Sequence, residues 1–432
     1  MALALDATDP DFETRFQTLL DAKREQAADV GSDVRAIIED VRARGDAALI
    51  EYTAKFDSLD LTRVGIAVEA REVKAALAAI DAQTMAALHL AHERIEAHHR
   101  RQMPIDDRYT DATGAELGHK WTPVDSAGLY VPGGKASYPS SLLMNAIPAK
   151  VAGVHRIAMV APTPRGETNP LVLAAAHLCG IEEIYRIGGA QAIAALAYGT
   201  ASIRPVAKIV GPGNAYVAEA KRQVFGVVGI DMIAGPSEVV VVADAENDPE
   251  WIAADLLAQA EHDEAAQAIL ITDDAAFGRA VAAAVSRQLS SLPRAAIAHA
   301  SWERLGAIIV IPEIMAAAPL VDRLAPEHLE LAVADPEALL ARIAHAGAVF
   351  LGRYTPEAVG DYVAGSNHVL PTARSARFAS GLGVLDFLKR TSILRLDPAS
   401  LAALGPATVA LAKAEGLHGH GRSVSIRLGE NG

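Results

Sequence analysis

The sequence predicts an α/β fold: two tandem Rossmann-like α/β/α units, with a helical N-terminal region before them and a short C-terminal tail domain after them. Three observations lead there. From Trp121 onward, short apolar runs alternate with alanine-rich helical segments. The runs are continuous rather than alternating, as in strands covered on both faces, which indicates parallel sheets. Glycines stand at or near the ends of the runs, where a strand has to turn.

Taken in order, the residues from Asp9 to about Arg101 read as helices. "GSDVRAIIEDVRARG" closes on Gly45, and in "REVKAALAAIDAQTMAALHLAHERIEAHHRR" Leu77, Ile80, Leu88 and Ile95 follow a 3.6-residue period. The Pro- and Asp-rich "QMPIDDRYTDATG" closes this region, so residues 1–120 are set apart. "AGLYVPGG", "RIAMVAP", "EIYRIGG", "AKIVGPG" and "EVVVVAD" read as strands, with helices such as "NPLVLAAAHLCG" between them. A second set follows: helix 249–262, strand "AILIT", helix 274–289, strand "AIIVI", helix 336–345 and strand "AVFLG". A boundary near "DMIAGPSE" separates a first unit, 121–236, from a second, 237–380, and leaves 381–432 as the tail.

With 432 residues, 51% of them hydrophobic, the chain can bury sizeable cores. Its net charge of −14 and pI of about 5.5 repel phosphate backbones and anionic membranes, which argues against a nucleic-acid partner. The start, "MALALDATDPDFETRF", lacks the basic and apolar regions of a signal peptide, and no apolar stretch approaches the roughly 18 residues of a spanning helix. A cytoplasmic location is expected. Cys179 is the single cysteine, so no intrachain disulfide can form. It ends a helix just before Gly180, where the dipole disfavours a thiolate, so it is a poor nucleophile.

The chemistry-bearing stretches are few. In "LLAQAEHDEAAQAILIT", Gln259 and His262 lie three apart at a helix end and share a face, as two metal ligands would or as a polar helix end would. No G-x-G-x-x-G follows a strand. Instead "IVGPGNAYVAEAKRQV" sets Gly211, Pro212 and Gly213 before Asn214 at a helix start, a turn that suits close approach of an anion or simply a tight connection. Tyr130 and Gln191 stand beside similar glycine turns. "APEHLEL" joins Glu327 to His328, which can serve two separate proton transfers or can be a helix start with Pro at its first position. "GDYVAGSNHVLPT" adds Asp361 and His368, and "AEGLHGHGRSVSIRL" adds Glu415, His418 and His420.

Together, "YVPGGKASYPSSLLMNAIPAKVAGV", "GPGNAYVAEAKRQVFGVVGIDMIAGPSE", "ADLLAQAEHDEAAQAIL", "APEHLEL", "GDYVAGSNHVLPT" and "AEGLHGH" resemble the successive motifs of the histidinol dehydrogenase family, in order and over essentially the full length. The resemblance implies oxidation of L-histidinol to L-histidine through L-histidinal, with two NAD reduced in one site. It implies one zinc per subunit held by Gln259, His262, Asp361 and His420, and a catalytic pair Glu327 and His328. Ser237, His368 and Glu415 match substrate contacts alongside those six, and Tyr130, Gln191 and Asn214 match NAD contacts. It also implies a homodimer whose C-terminal tail reaches the partner's site. Two departures stand out: His418 precedes the expected tail ligand by two residues, and Ala373-Arg374 in "PTARSARFAS" replace small glycine-rich residues, read as surface variation. A relative oxidising another small polar alcohol and a non-catalytic metal-binding α/β protein are the competing expectations.

Overall fold

In chain order, the described residues of the computed structural model (2–22, 30–133, 138–233 and 235–429) form β1 (Leu3–Asp6), α1 (Phe12–Ala22), α2 (Gly31–Arg44), α3 (Asp46–Asp57), α4 (Leu61–Val64), α5 (Ala70–Ala78) and α6 (Ala82–Arg100). There follow β2 (Asp107–Thr110), β3 (Glu116–Pro123), β4 (Ser126–Tyr130), α7 (Pro139–Val151), β5 (Arg156–Val160), α8 (Pro170–Leu178), β6 (Glu183–Tyr185), α9 (Gly189–Tyr198), β7 (Lys208–Val210), α10 (Ala215–Val224) and β8 (Gly229–Ile230). The second half holds β9 (Glu238–Ala243), α11 (Pro249–Ala260), β10 (Gln267–Thr272), α12 (Ala275–Leu289), α13 (Ala295–Leu305), β11 (Ala307–Val310), α14 (Ala317–Leu324), β12 (His328–Ala332), α15 (Pro336–Leu340), β13 (Ala348–Leu351) and α16 (Glu357–Tyr362). The chain ends in β14 (Leu388–Arg395), α17 (Pro398–Ala414) and α18 (His418–Ser425).

The strands make a five-stranded parallel sheet, β6-β5-β4-β7-β8, and a six-stranded parallel sheet, β1-β11-β10-β9-β12-β13. The continuous apolar runs therefore mean what they were read to mean. In β5, Ile157 and Met159 enter one core while Ala158 and Val160 enter another. In β9, Val239 and Val241 face α11 and α12, whereas Val240 and Val242 face α14 and α1. All four valines are buried, each contributing about 1.5–3 kcal/mol.

The helices expected from Asp9 to about Arg101 are present, and outside those bounds the region 1–120 also holds β1, β2 and the start of β3. β1 lies at the edge of the six-stranded sheet, paired with β11, and β2 and β3 join β14 in a three-stranded antiparallel sheet. These strands are short and their partners are far along the chain, so no local period announces them. Helix α15 is also shorter than the expected 336–345. Within the tail, α17 and α18 pack chiefly on each other, and Leu411, Leu417 and Ile426 remain exposed.

Candidate active site

Glu327 and His328 do not open a helix. His328 is the first residue of β12, paired with Val239 of β9 and Ala348 of β13, and both side chains are buried at the amino ends of these strands. The backbone of one residue orients the pair: the Glu238 N–H donates to Glu327 Oε2 at 2.9 Å, and the Glu238 carbonyl lies 3.1 Å from His328 Nδ1. A carbonyl only accepts, so Nδ1 carries the proton and Nε2 keeps its lone pair. That Nε2 is buried and has no hydrogen-bond partner among the described residues, 3.8 Å from Glu357 Oε1 and 3.9 Å from Asp361 Oδ1. Donor atoms of His328, Glu357 and Asp361 all lie within 4.8 Å of one another.

Two helices bring in the other groups. Asp248 caps α11 and Pro249 opens it, and Asp255, Gln259 and His262 then follow at i, i+4 and i+7 along one face as the helix gives way to its terminal turn. Gln259 is 1% exposed, and among the described residues neither polar atom of its amide has a hydrogen-bond partner. On α16, Glu357 and Asp361 are likewise one turn apart. His368 Nδ1 is 3.5 Å from Asp361 Oδ1, and Ser141 Oγ at the start of α7 is 3.3 Å from His368 Nε2, so the first unit closes over the cluster. Ser237 immediately precedes β9, its carbonyl accepting the Gln267 N–H.

Burial dominates the electrostatics. It pushes His328 down to about 4 against the pull of Asp361, and it lowers His262 in the same way. Burial also raises Asp361, but the His368 hydrogen bond and the surrounding histidines outweigh it and leave that carboxyl below its ordinary value. Burial and neighbouring carboxylates hold Glu357 and Glu330 well above the usual range, and burial raises Asp255 to about 6. Glu330 hydrogen-bonds Asp255 and accepts the Glu357 N–H at 2.6 Å. Sequence reasoning singled out none of Ser141, Glu238, Asp255, Glu330 or Glu357. The signals were present: a carboxylate inside the strand run "HLELA", and carboxylates one helical turn before Gln259 and Asp361.

The Gln259 amide, unpaired among the described residues, is what a bound cation would satisfy, and the mixed nitrogen and oxygen donors beside it suit zinc, while the lone pair of His328 Nε2 stays available to a proton. The residues matched to NAD lie beyond the carboxyl ends of the other sheet's strands, whose order reverses between the neighbouring β4 and β7, the place where ligands bind in open α/β sheets. Gly211, at φ +115°, passes so close to Tyr130 that a Cβ would come 2.1 Å from its carbonyl oxygen. Asn214 is exposed and caps α10 through Oδ1, bonded to the N–H groups of Tyr216 and Val217. Tyr130 and Gln191 are 4% and 2% exposed, and the Tyr130 hydroxyl accepts the Gly189 N–H. Their side chains thus shape the turns, and a glycine-lined cradle of this kind fits a dinucleotide. Residues 134–137 of the neighbouring "YVPGGKASYPSS" lie outside the described residues.

The remaining expected residues stand elsewhere. Glu415 caps the end of α17, and His418 and His420 lie in α18, all three exposed on the tail hairpin rather than joined to the cluster. Cys179 is buried, and burial pushes its thiol up to about 12, so it is no nucleophile. Ala373 and Arg374 are not mere surface variation: both adopt left-handed φ, 51° and 62°, and the Ala373 N–H donates to Glu238 Oε1 at 2.6 Å. Glycine suits such backbone, whereas an alanine or arginine carries strain in it.

A family model described as histidinol dehydrogenase matches residues 20–428. The chain is 66% identical over 434 residues to a histidinol dehydrogenase of Rhizobium meliloti (strain 1021), covering 100% of both chains. It is 66% identical over 428 residues to one of Mesorhizobium japonicum, covering 99% of this chain and 100% of that one. The crystal structure of histidinol dehydrogenase from Elizabethkingia anophelis superposes with a TM-score of 0.94 at 37% identity, covering 99% of this chain and 98% of that one.

Proposed function

Because the chain belongs to the histidinol dehydrogenase family, it is an oxidoreductase that acts on histidinol in histidine biosynthesis, and we propose that one site carries L-histidinol through L-histidinal to L-histidine. The observation that carries the proposal is the pairing of the oriented Glu327 and His328 with the unpartnered, buried Gln259 amide. Gln259, His262 and Asp361, with His420 from a second copy, would hold zinc, and Ser237, His368 and Glu415 would complete the substrate's surroundings. When bound, zinc would anchor and polarise the amino alcohol, and NAD, held at Tyr130, Gln191 and Asn214, would accept the hydride of each oxidation.

The chain's own residues divide the proton work. His328 takes the hydroxyl proton at Nε2, since Nδ1 is committed to the Glu238 carbonyl. Burial keeps it neutral near pH 7 and therefore able to accept. Glu327, held through one oxygen by the Glu238 amide, removes a proton from the water that adds to the aldehyde, and His328 then acts again on the hydrated product. Each transfer is worth about 10² to 10⁴ in rate.

A homodimer follows from the same proposal, supported by the exposed apolar residues Leu411, Leu417 and Ile426 on a hairpin that carries Glu415 and His420. The division into 1–120, 121–236, 237–380 and 381–432 is kept, with β1 assigned to the second α/β unit. A cytoplasmic location belongs to this reading too; no described helix is long and apolar enough to cross a membrane.

Zinc-loaded protein given L-histidinol and excess NAD is expected to form two NADH per substrate, with L-histidine as product. One NADH with histidinal accumulating, or none, would refute the four-electron reaction. Mixing His328→Asn chains with His420→Ala chains should restore part of the activity if sites are shared, and no recovery would refute the shared site.

A further inference from the structure

The buried ion pair between Lys221 of α10 and Asp231, just after β8, takes no part in the proton chemistry. Its side chains are 2% and 1% exposed. Strand β7 stops at Val210, so the sheet ladder offers the peptide groups of Gly211 no partner. The ion pair supplies both. Asp231 Oδ2 accepts the Gly211 N–H at 2.7 Å, and Lys221 Nζ donates to the Gly211 carbonyl at 3.0 Å. Gly211 itself has no freedom to be another residue, given its positive φ and its approach to Tyr130.

Burying two charges costs several kcal/mol per ion, and apolar replacements of such pairs are often neutral or stabilising, so stability is a poor reason for keeping this one. What it does that an apolar pair cannot is hold one residue, Gly211, at both of its backbone polar atoms, and so fix the two peptides that flank it. Gly211 begins the turn ending in Asn214, three residues on, whose side chain caps α10.

We propose that Lys221 and Asp231 are positioning residues for the dinucleotide, fixing the Gly211-Pro212-Gly213-Asn214 turn in the shape that receives it. The inference rests on the assignment of Asn214 to the NAD contacts. The test compares zinc-loaded wild type with Lys221→Met/Asp231→Leu and with Asn214→Ala. Calorimetric Kd for NAD is measured with KM for NAD, KM for histidinol, kcat, zinc content and thermal unfolding.

The double variant is expected to fold and keep its zinc. Its Kd and KM for NAD should rise about tenfold, while kcat at saturating NAD and KM for histidinol stay within about twofold. Unchanged NAD affinity in the double variant, with Asn214→Ala weakened, overturns the positioning role and leaves the Asn214 assignment standing. Unchanged affinity in both overturns both. If the double variant fails to fold, Lys221→Met/Asp231→Asn, which keeps the amide tie and loses only the carbonyl one, carries the same expectation with a smaller rise. NAD binding equal to wild type in that variant overturns the proposal.

Discussion

Replacing Glu327 by Gln separates the two oxidations. Glu327 is buried, and Oε2 accepts the Glu238 N–H at 2.9 Å. Glutamine preserves that bond through its amide oxygen and nearly the same volume, so the fold and the orientation of His328 should survive, with a stability change of at most about 1 kcal/mol. What is lost is the ability to take a proton from water. A general base contributes about 10² to 10⁴ in rate, and each decade is about 1.4 kcal/mol, so the aldehyde step should slow by an equivalent of about 3–5 kcal/mol. The alcohol step uses His328 Nε2, whose geometry is set by the Glu238 carbonyl and not by Glu327, and it should change by less than about tenfold. Single-turnover NADH formation from L-histidinol and from supplied L-histidinal measures the two steps separately. An alcohol step slowed as severely as the aldehyde step would show that Glu327 orients His328 or the cation instead of activating water.

Three further outcomes are expected. His262→Asn, at a half-buried helix end, should abolish stoichiometric zinc and activity while costing less than about 1 kcal/mol of stability; zinc retained at one per chain would remove His262 from the ligand set. The folded-state values of Glu330 and Asp255 lie above their unfolded ones, so the stability this pair confers is present below about pH 4 and is lost as pH rises through the folded values. Glu330→Gln, measured zinc-free by thermal unfolding, should therefore gain on wild type from pH 5 to pH 8, and a parallel pair of curves would refute the raised titration of these two carboxyls. Ala373→Gly removes a left-handed alanine and should gain up to about 1 kcal/mol of stability; a loss would mean that the alanine methyl packs better than its backbone strain costs.

Much of this protein can be read along the chain, because parallel strands buried on both faces need unbroken apolar runs, and β5, β9 and β10 have them. The same reasoning fails at β12. Its sequence "HLELA" alternates polar with apolar residues, which reads as a half-exposed strand or a helix start, yet every residue is buried. His328 and Glu330 point to the α11 side, where their partners are Asp255 from 75 positions earlier and Glu357 from 27 later, a proximity no local period encodes. Glu357 went unnoticed for that reason: alone it is an acidic first turn on a six-residue helix. The left-handed backbone of Ala373 is likewise a matter of what surrounds it, since its N–H must reach the Glu238 carboxylate. Polar residues tolerated inside a parallel sheet cost free energy unless something satisfies them, and here Glu357 and Asp361 approach His328 Nε2 without hydrogen-bonding it, leaving that atom unpaired among the described residues. The place where hydrophobic patterning breaks down is thus the place where a substrate hydroxyl would complete the hydrogen bonding.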